Sequence, residues 1–370
     1  MRKLVKILFA LVVILMFFGI ILVFSASGTY SAMKFDSIYV LFKSHLWKVL
    51  IAFVTLVIFA SIPYENYKKH SKYILLAVIF ILILTLFIAP KVKGAARWID
   101  LGFIQFQPSE LAKIILVMHL AAMIERKDAL IQDFQKGFLM TLVWVGIVAG
   151  LVLLQPNVST SALIVLISFA VLFVGGAKLS HVLGTLGGAA AFGGTVMMIF
   201  SHSRERVLGF INSFVNGGDL NIQVKQAKIA LGSGGIVGVG LGHSRQSDLF
   251  LPESYGDFIF SILGEELGLI GTISILFIYL LIFTIGLVIA KRAEDKFGQL
   301  LGFGLSFNIV FAAFINAGVV SGILPTTGIT LPFISFGGTS IIIFAMSVGI
   351  IINIASQTAK KQELRAAQVS

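Results

Sequence analysis

LPESYGDFIFSILGEELGLIG, residues 251–271, opens as a polar segment and turns into an apolar helix. Three acids lie in or just above that run: Asp257, Glu265 and Glu266. A carboxylate inside a bilayer costs at least a few kcal/mol and marks a functional site by default. On a helix drawn at ~100° per residue, Asp257, Ser261, Gly264, Gly268 and Gly271 fall within roughly 80° of one another. That stripe carries an acid at its outer end and small residues below it. It either packs on another helix or lines a space. Asp257 also has an ordinary reading, since aspartate just before an apolar helix is a common start signal.

Outward from this stretch, the chain of 370 residues is 58% hydrophobic and 12% charged, with a mean hydropathy of +1.00. That composition excludes a soluble globular domain. Cysteine is absent, so disulfides and thiolate metal sites are excluded, and the six histidines are scattered away from metal-ligand spacing. The net charge of +11 could suggest nucleic acid, but its placement speaks for membrane orientation and against a nucleic-acid partner. The first 27 residues resemble a signal peptide. The apolar run is long enough to span, and many spans follow, so it reads as a retained first helix.

The pattern predicts an all-α polytopic membrane protein with one membrane domain over 1–370. Ten spans are expected near 7–26, 46–62, 73–90, 109–124, 137–154, 158–175, 180–200, 258–290, 299–320 and 335–355. Alternation from a cytoplasmic N-terminus puts 16 of the 28 basic residues on the cytoplasmic side, including Arg2, Lys3, Lys6, Lys68, Lys69, Lys72, Lys291, Arg292, Lys360 and Lys361. Both termini are then cytoplasmic, with 356–370 as a tail. The outer side holds one long extracellular loop between helices 7 and 8, residues 201–257, far above usual loop length. Within it, Val224 to Leu231 can form a short amphipathic helix, and GSGGIVGVGLG follows (232–242). These glycines do not make a phosphate loop, because no Lys-Ser/Thr follows and no strand precedes.

Further chemistry-bearing residues sit toward the outer side. Glu110 and Lys113 begin the fourth span as PSELAK. Capping by Ser109 and snorkelling of Lys113 are the plain readings. The sharper reading is a cation for a phosphate-bearing ligand, or a partner for Glu265 or Glu266. Arg97 is either an interfacial anchor or a ligand contact, and Arg204, Arg206 and Lys225 bring basic charge to the long loop, which Glu205, Asp219, Asp248, Glu253 and Asp257 balance. The residues alone leave two possibilities open: an enzyme acting on a lipid-linked substrate at the outer face, or a transporter of one.

GAARWIDLGFIQFQPSELAK, LPESYGDFIFSILGEELGLIG and VSGILPTTGITLPFISFGGTS together resemble the signatures of the SEDS family, whose members include FtsW, RodA and SpoVE. Order and spacing agree over nearly the whole chain. GGAKL, GLGHSRQSDLFLPE and LPTTGITLPFISFGG are more similar to FtsW than to RodA. The resemblance implies a peptidoglycan glycosyltransferase of the cytoplasmic membrane, its active site facing outside, polymerising lipid II during cell division. A lipid II flippase, an elongation polymerase like RodA and an inactive division scaffold are the alternatives. It implies that Asp257, the aspartate of DFIF, is the general base for the acceptor sugar 4-hydroxyl, with undecaprenyl pyrophosphate leaving. Lys113, Glu110, Arg97, Arg204, Arg206, Lys225, Ser261 and Glu265 are the candidate substrate-binding residues, Lys113 foremost. A divalent cation such as magnesium could neutralise the leaving group, although no ligand set is visible. The implied partners are a class B penicillin-binding protein, an FtsI-like transpeptidase, together with other division proteins and membrane lipid. Two departures stand out. Tyr255 and Gly256 replace the family's usual His-Thr, and Asn157 stands where QPDLGT has an aspartate, which weakens any second essential carboxylate there.

Overall fold

The computed structural model describes residues 1–90, 97–100, 102, 105–199, 201–215, 221–251 and 254–369. Its helices are α1 (Arg2–Phe35), α2 (Val40–Ser61), α3 (Tyr64–Ile88), α4 (Pro108–Lys127), α5 (Leu139–Leu154), α6 (Val158–Val174), α7 (Leu179–Ile199), α8 (Ser201–Val215), α9 (Ile222–Ser233), α10 (Ile259–Arg292), α11 (Lys296–Val320) and α12 (Ser340–Val369). The protein is thus an all-α polytopic membrane protein. Among the described residues seven helical segments are long and apolar enough to cross a bilayer, with α6 a shorter apolar helix. The one sheet is a two-residue ladder the sequence did not announce, Ile99–Asp100 antiparallel to Gln105–Phe106.

The apolar logic of a soluble protein is inverted here. Phe80, Phe87, Trp47 and Tyr73 point outward, where hydrocarbon is the solvent. The interior helices are α11 and α12, and α4 is buried along most of its length. Small residues let these helices approach closely. A Cβ at Gly349 on α12 would lie 2.5 Å from the Leu56 carbonyl on α2.

One end of the bundle is tied by polar pairs. Lys68 pairs with Glu125 and lies 3.8 Å from Asp295, Lys296 is 2.6 Å from Asp128, Lys361 is 3.2 Å from Glu65 and Arg365 is 3.2 Å from Glu294. These contacts gather the start of α3, the end of α4, the α10–α11 junction and the end of α12 at one end. That is the alternation expected from the charges. Exposed pairs of this kind contribute ~0–1 kcal/mol each, so they mark orientation more than they hold the fold. Asn353 contributes more. It is buried, donates to the Ala60 carbonyl at 2.8 Å and accepts from the Tyr64 N–H at 2.9 Å, closing the α2–α3 turn onto α12. Asn353→Ala strands both backbone groups and is expected to cost about 1–3 kcal/mol, read as a lower melting temperature in detergent.

Three expectations change. Residues 356–369, expected as a tail, are helical and continue α12, because AKKQELRAAQ is rich in helix formers and pairs with neighbouring ends. The first helix extends to Phe35, well beyond the expected residue 26. Within 201–257 the described residues form α8, α9 and a glycine segment packed into the bundle, α9 covering the short helix expected at Val224–Leu231; residues 216–220 and 252–253 lie outside the described set.

That glycine segment meets a break in α10. Gly268 has φ +65° and ψ −163°, so the helix stops and restarts there. The carbonyls of Glu265 and Glu266, which lose their helical partners, accept from the N–H groups of Val239 and Gly240 at 3.0 Å each. The freed N–H groups of Leu269 and Ile270 donate to Gly235 and Ile236 at 2.9 and 3.2 Å. Non-helical backbone is tolerable inside a bilayer only when protein satisfies it in this way. The stripe drawn from Asp257 to Gly271 is therefore not one helical face. Asp257 precedes the helix and Gly271 lies beyond the break.

Candidate functional site

At the end of the bundle opposite the ion pairs, the starts of α2, α4, α6, α10 and α12 surround a cavity of about 660 Å³. Its charged lining comprises Lys48, Arg97, Lys113 and Arg206 on one side of the balance, and Asp100, Glu110 and Asp257 on the other.

Lys113 reaches this cavity because of how α4 begins. Pro108 takes the first helical position, where its missing N–H costs nothing. The Gln107 N–H donates to the Thr339 hydroxyl at 2.8 Å, and that hydroxyl donates to the Gln105 carbonyl at 2.9 Å. The entry to α4 is thereby locked to the loop before α12. Lys113 is 3% exposed, so it does not snorkel. Its Nζ lies 2.9 Å from Glu110 Oε1 and 5.9 Å from the Phe344 ring centroid. Its partner is Glu110, not Glu265 or Glu266. Ser109 is buried one residue inside the helix and accepts from Asn157 at 3.4 Å, so it does not cap.

Asp257 sits in the turn before α10, whose N-cap position is Phe258. Its backbone is fixed from α11. The Asn316 amide donates to the Asp257 carbonyl at 2.7 Å and to the Ile329 carbonyl at 2.8 Å. Two residues earlier, the Tyr255 carbonyl accepts from Phe336 N–H at 2.9 Å, and Ser254 donates to Ala26 in α1 at 3.1 Å. The Asp257 side chain is half-buried and faces Gly328, where φ is +74° and a Cβ would lie 3.4 Å from Oδ2. Only glycine suits that backbone without crowding the carboxylate. Tyr255 lines the same cavity and packs at 5.4 Å against both Tyr30 and Phe336.

Arg97 donates to the carbonyls of Gln155 and Pro156, the first at 3.2 Å, and so holds the α5–α6 turn that presents Asn157 and Thr160 to the cavity. Burial and the nearby Arg206 both push its guanidinium below the ordinary arginine range. Burial also lowers Arg206, while the Asp257 carboxylate acts to raise it. Arg97, Arg206 and Asp257 therefore feel one another's fields. Two close guanidiniums and two buried lysines over three carboxylates favour an anionic guest.

The other expected site residues lie elsewhere. Ser261 is buried and donates to the Phe258 carbonyl at 2.6 Å. Glu265 is buried and accepts from Ser244 at 2.5 Å, Ser233 at 3.3 Å and the Arg245 and Gln246 N–H groups at 3.2 and 3.3 Å. Glu266 accepts from Ser25 and from Gly242 N–H. These two glutamates fasten the glycine segment to α10 and do not line the cavity. Arg204 and Lys225 are exposed on α8 and α9, away from it. Lys48 was missed. It is 8% exposed, lines the cavity and sits 3.8 Å from the Phe336 ring centroid. A lysine within an apolar run was the available signal, the same one that singled out Lys113. Among the described residues no three acidic or histidine side chains converge as a metal cage.

Residues 5–360 match the family model described as "Cell cycle protein", that of FtsW, RodA and SpoVE. The chain is 36% identical over 349 residues to the probable peptidoglycan glycosyltransferase FtsW of Geobacter sp. (strain M18), covering 93% of this chain and 95% of that one. It is 33% identical to the stage V sporulation protein E of Bacillus subtilis (strain 168), covering 92% and 94%. Among solved structures it is similar to a chain described under "Structural coordination of polymerization and crosslinking by a peptidoglycan synthase complex". The TM-score is 0.75 at 24% identity, covering 97% and 98%. The rod shape determining protein RodA of Thermus thermophilus gives 0.71 at 22%, covering 95% and 96%. Both structural likenesses speak for the fold.

Proposed function

We infer the function from one premise: the chain belongs to the cell cycle protein family of FtsW, RodA and SpoVE. On that premise it is a peptidoglycan glycosyltransferase, and we propose that it polymerises lipid II during cell division. The observation that carries this reading is that the Asp257 carboxylate opens onto the same cavity as Lys48, Lys113, Arg97 and Arg206. Glycosyl transfer from a lipid pyrophosphate needs both parts in one place. The acceptor 4-hydroxyl oxygen forms a bond to the donor's anomeric carbon. The bond from that carbon to the pyrophosphate oxygen breaks, and undecaprenyl pyrophosphate leaves with the electron pair. Asp257 takes the hydroxyl proton, the general-base role. The cations meet the charge that grows on the leaving group, in a site already organised for it. They supply positive charge of the kind a magnesium ion would bring, so no step here is routed through a metal.

Ten spans, with the ion-paired end in the cytoplasm and the cavity toward the outside of the cytoplasmic membrane, fit both the charge asymmetry and this chemistry. The partner expected beside it is a class B penicillin-binding protein. The solved synthase complex similar in fold, described in terms of polymerisation and crosslinking, supports that pairing.

Purified protein supplied with lipid II, with and without a class B transpeptidase, tests the reading. Muramidase-sensitive glycan strands are the expected product. Lipid II crossing liposome membranes, with no polymer under either condition, would replace the polymerase with the flippase. Within this scheme Lys113→Ala leaves Glu110 buried without its cation. We expect kcat/KM for lipid II to fall about 10- to 100-fold, with kcat falling alongside it, because the lysine meets charge that grows in the transition state. Unchanged kinetics across lipid II concentrations would remove Lys113 from the pyrophosphate site.

A further inference from the structure

A second cavity of about 440 Å³ lies between α8, α9 and the segment after α11, and Arg206 lines both it and the reaction cavity. We propose that this second cavity is the subsite that holds the already polymerised glycan, taking an N-acetylated saccharide unit one step removed from the reacting sugar. The inference rests on the glycosyltransferase reading. If the strand's anomeric end lies at Asp257 with its pyrophosphate among the cations, the rest of the strand must occupy contiguous space. Arg206 stands where the two spaces meet, with Nη1 3.5 Å from the Thr326 carbonyl.

The lining suits a saccharide. Asn221 and Gln223 bring side-chain amides, Thr326 brings a hydroxyl, Ser213 brings a hydroxyl oxygen that can still accept while it donates to the Phe210 carbonyl at 2.8 Å, and Phe210 adds an aromatic side chain to the lining. An N-acetyl group presents one carbonyl and one N–H, which paired amide and hydroxyl partners can match, while the sugar's C–H face suits an aromatic ring. The volume falls within the ~300–1,000 Å³ usual for small-molecule sites. Glu205 on the same wall disfavours the carboxylate-bearing peptide stem, so the glycan is the better occupant. The wall is built firmly where Gln223 sits. The Asn221 side chain accepts from Gln223 N–H at 2.9 Å, and Val224, Ala227 and Ala230 bury the inner face of α9. The turn at Gly322, φ +77°, packs against Val224, with a Cβ position 3.5 Å from Cγ1.

The test uses the full chain in detergent with a soluble β-1,4-linked N-acetylated hexosamine tetrasaccharide as the binding probe, and lipid II for strand length. Gln223→Ala removes one hydrogen-bonding side chain and should weaken the probe about threefold to tenfold and shorten strands to a similar degree. Ser213→Trp fills the cavity and should abolish probe binding and leave only short products. If Ser213→Trp fails to fold, judged by its melting profile, Gln223→Ala decides alone. Strands of wild-type length with unaltered probe binding in a folded variant overturn the subsite while leaving the polymerase intact. Absence of polymer from the wild-type protein removes the enzymatic reading, and this subsite with it.

Discussion

Asp257→Asn is expected to fold, insert and hold its partner, yet polymerise lipid II at least about 10²-fold more slowly than wild type. The substitution keeps the volume of the side chain and deletes only its basicity. The main-chain bonds that fix the turn stay in place, because Asn316 grips the main-chain carbonyl of residue 257, and Phe336 and Ser254 fix the neighbouring backbone. Loss of rate with an unchanged melting profile would therefore report on proton removal and not on collapse of the site. The Asp257 carboxylate also acts electrostatically on Arg206, and its loss removes one negative charge from beside the cations, so lipid II binding should change modestly alongside the rate. Strand synthesis by Asp257→Asn at a rate near wild type would remove the carboxylate from the mechanism and leave the cation cluster without a base.

Gly238→Ala carries the second large effect, on stability. Gly238 has φ +87°, and a Cβ there would overlap the Glu266 carbonyl. Either the strained backbone is kept and the contact opens, or the glycine segment withdraws. Both routes sacrifice the bonds from Val239 and Gly240 that cover the broken turn of α10. Strain of ~1–3 kcal/mol together with two exposed carbonyls at ~1–3 kcal/mol each is a large part of an ordinary protein's stability. The variant should melt well below wild type and accumulate poorly in the membrane. Gly232→Ala, in the same segment but with open space around its Cβ position, should be close to neutral. Equal melting temperatures for the two alanine variants would show that the close approach at residue 238 is not needed.

Much of the architecture was legible in the sequence. Helices occupy all ten apolar stretches, and the charge alternation places the ion-paired termini and junctions together at one end. Asp257, Lys113 and Glu110 were conspicuous as charged residues beside or within apolar runs, Arg97 as a basic residue of an outer segment and Arg206 as one of the long loop's basic residues, and they line one cavity. What was illegible depends on partners distant in the chain. The apolar pattern of residues 259–292 runs through Gly268 without interruption, so nothing local marks a break whose four backbone groups are satisfied some thirty residues upstream. Glu265 and Glu266 drew notice as membrane carboxylates for the same reason. Their hydroxyl and amide donors, Ser25, Ser233, Ser244 and Gly242, sit on segments that periodicity does not bring together. Lys48 was overlooked because a single basic residue at the head of a span reads as an ordinary interfacial anchor.

The interruption at Gly268 makes α10 two rods spliced end to end. A helix too long for its bilayer leans, and an unbroken α10 would transmit that lean to the turn holding Asp257. Here the glycine segment bonds the last carbonyls of the upper rod and the first N–H groups of the lower one, and α11 holds the turn above, so that turn does not follow α10 alone. The end that carries the cavity is thus braced by contacts from outside α10, and its geometry should depend less on the thickness of the surrounding lipid than that of a site carried on one free helix.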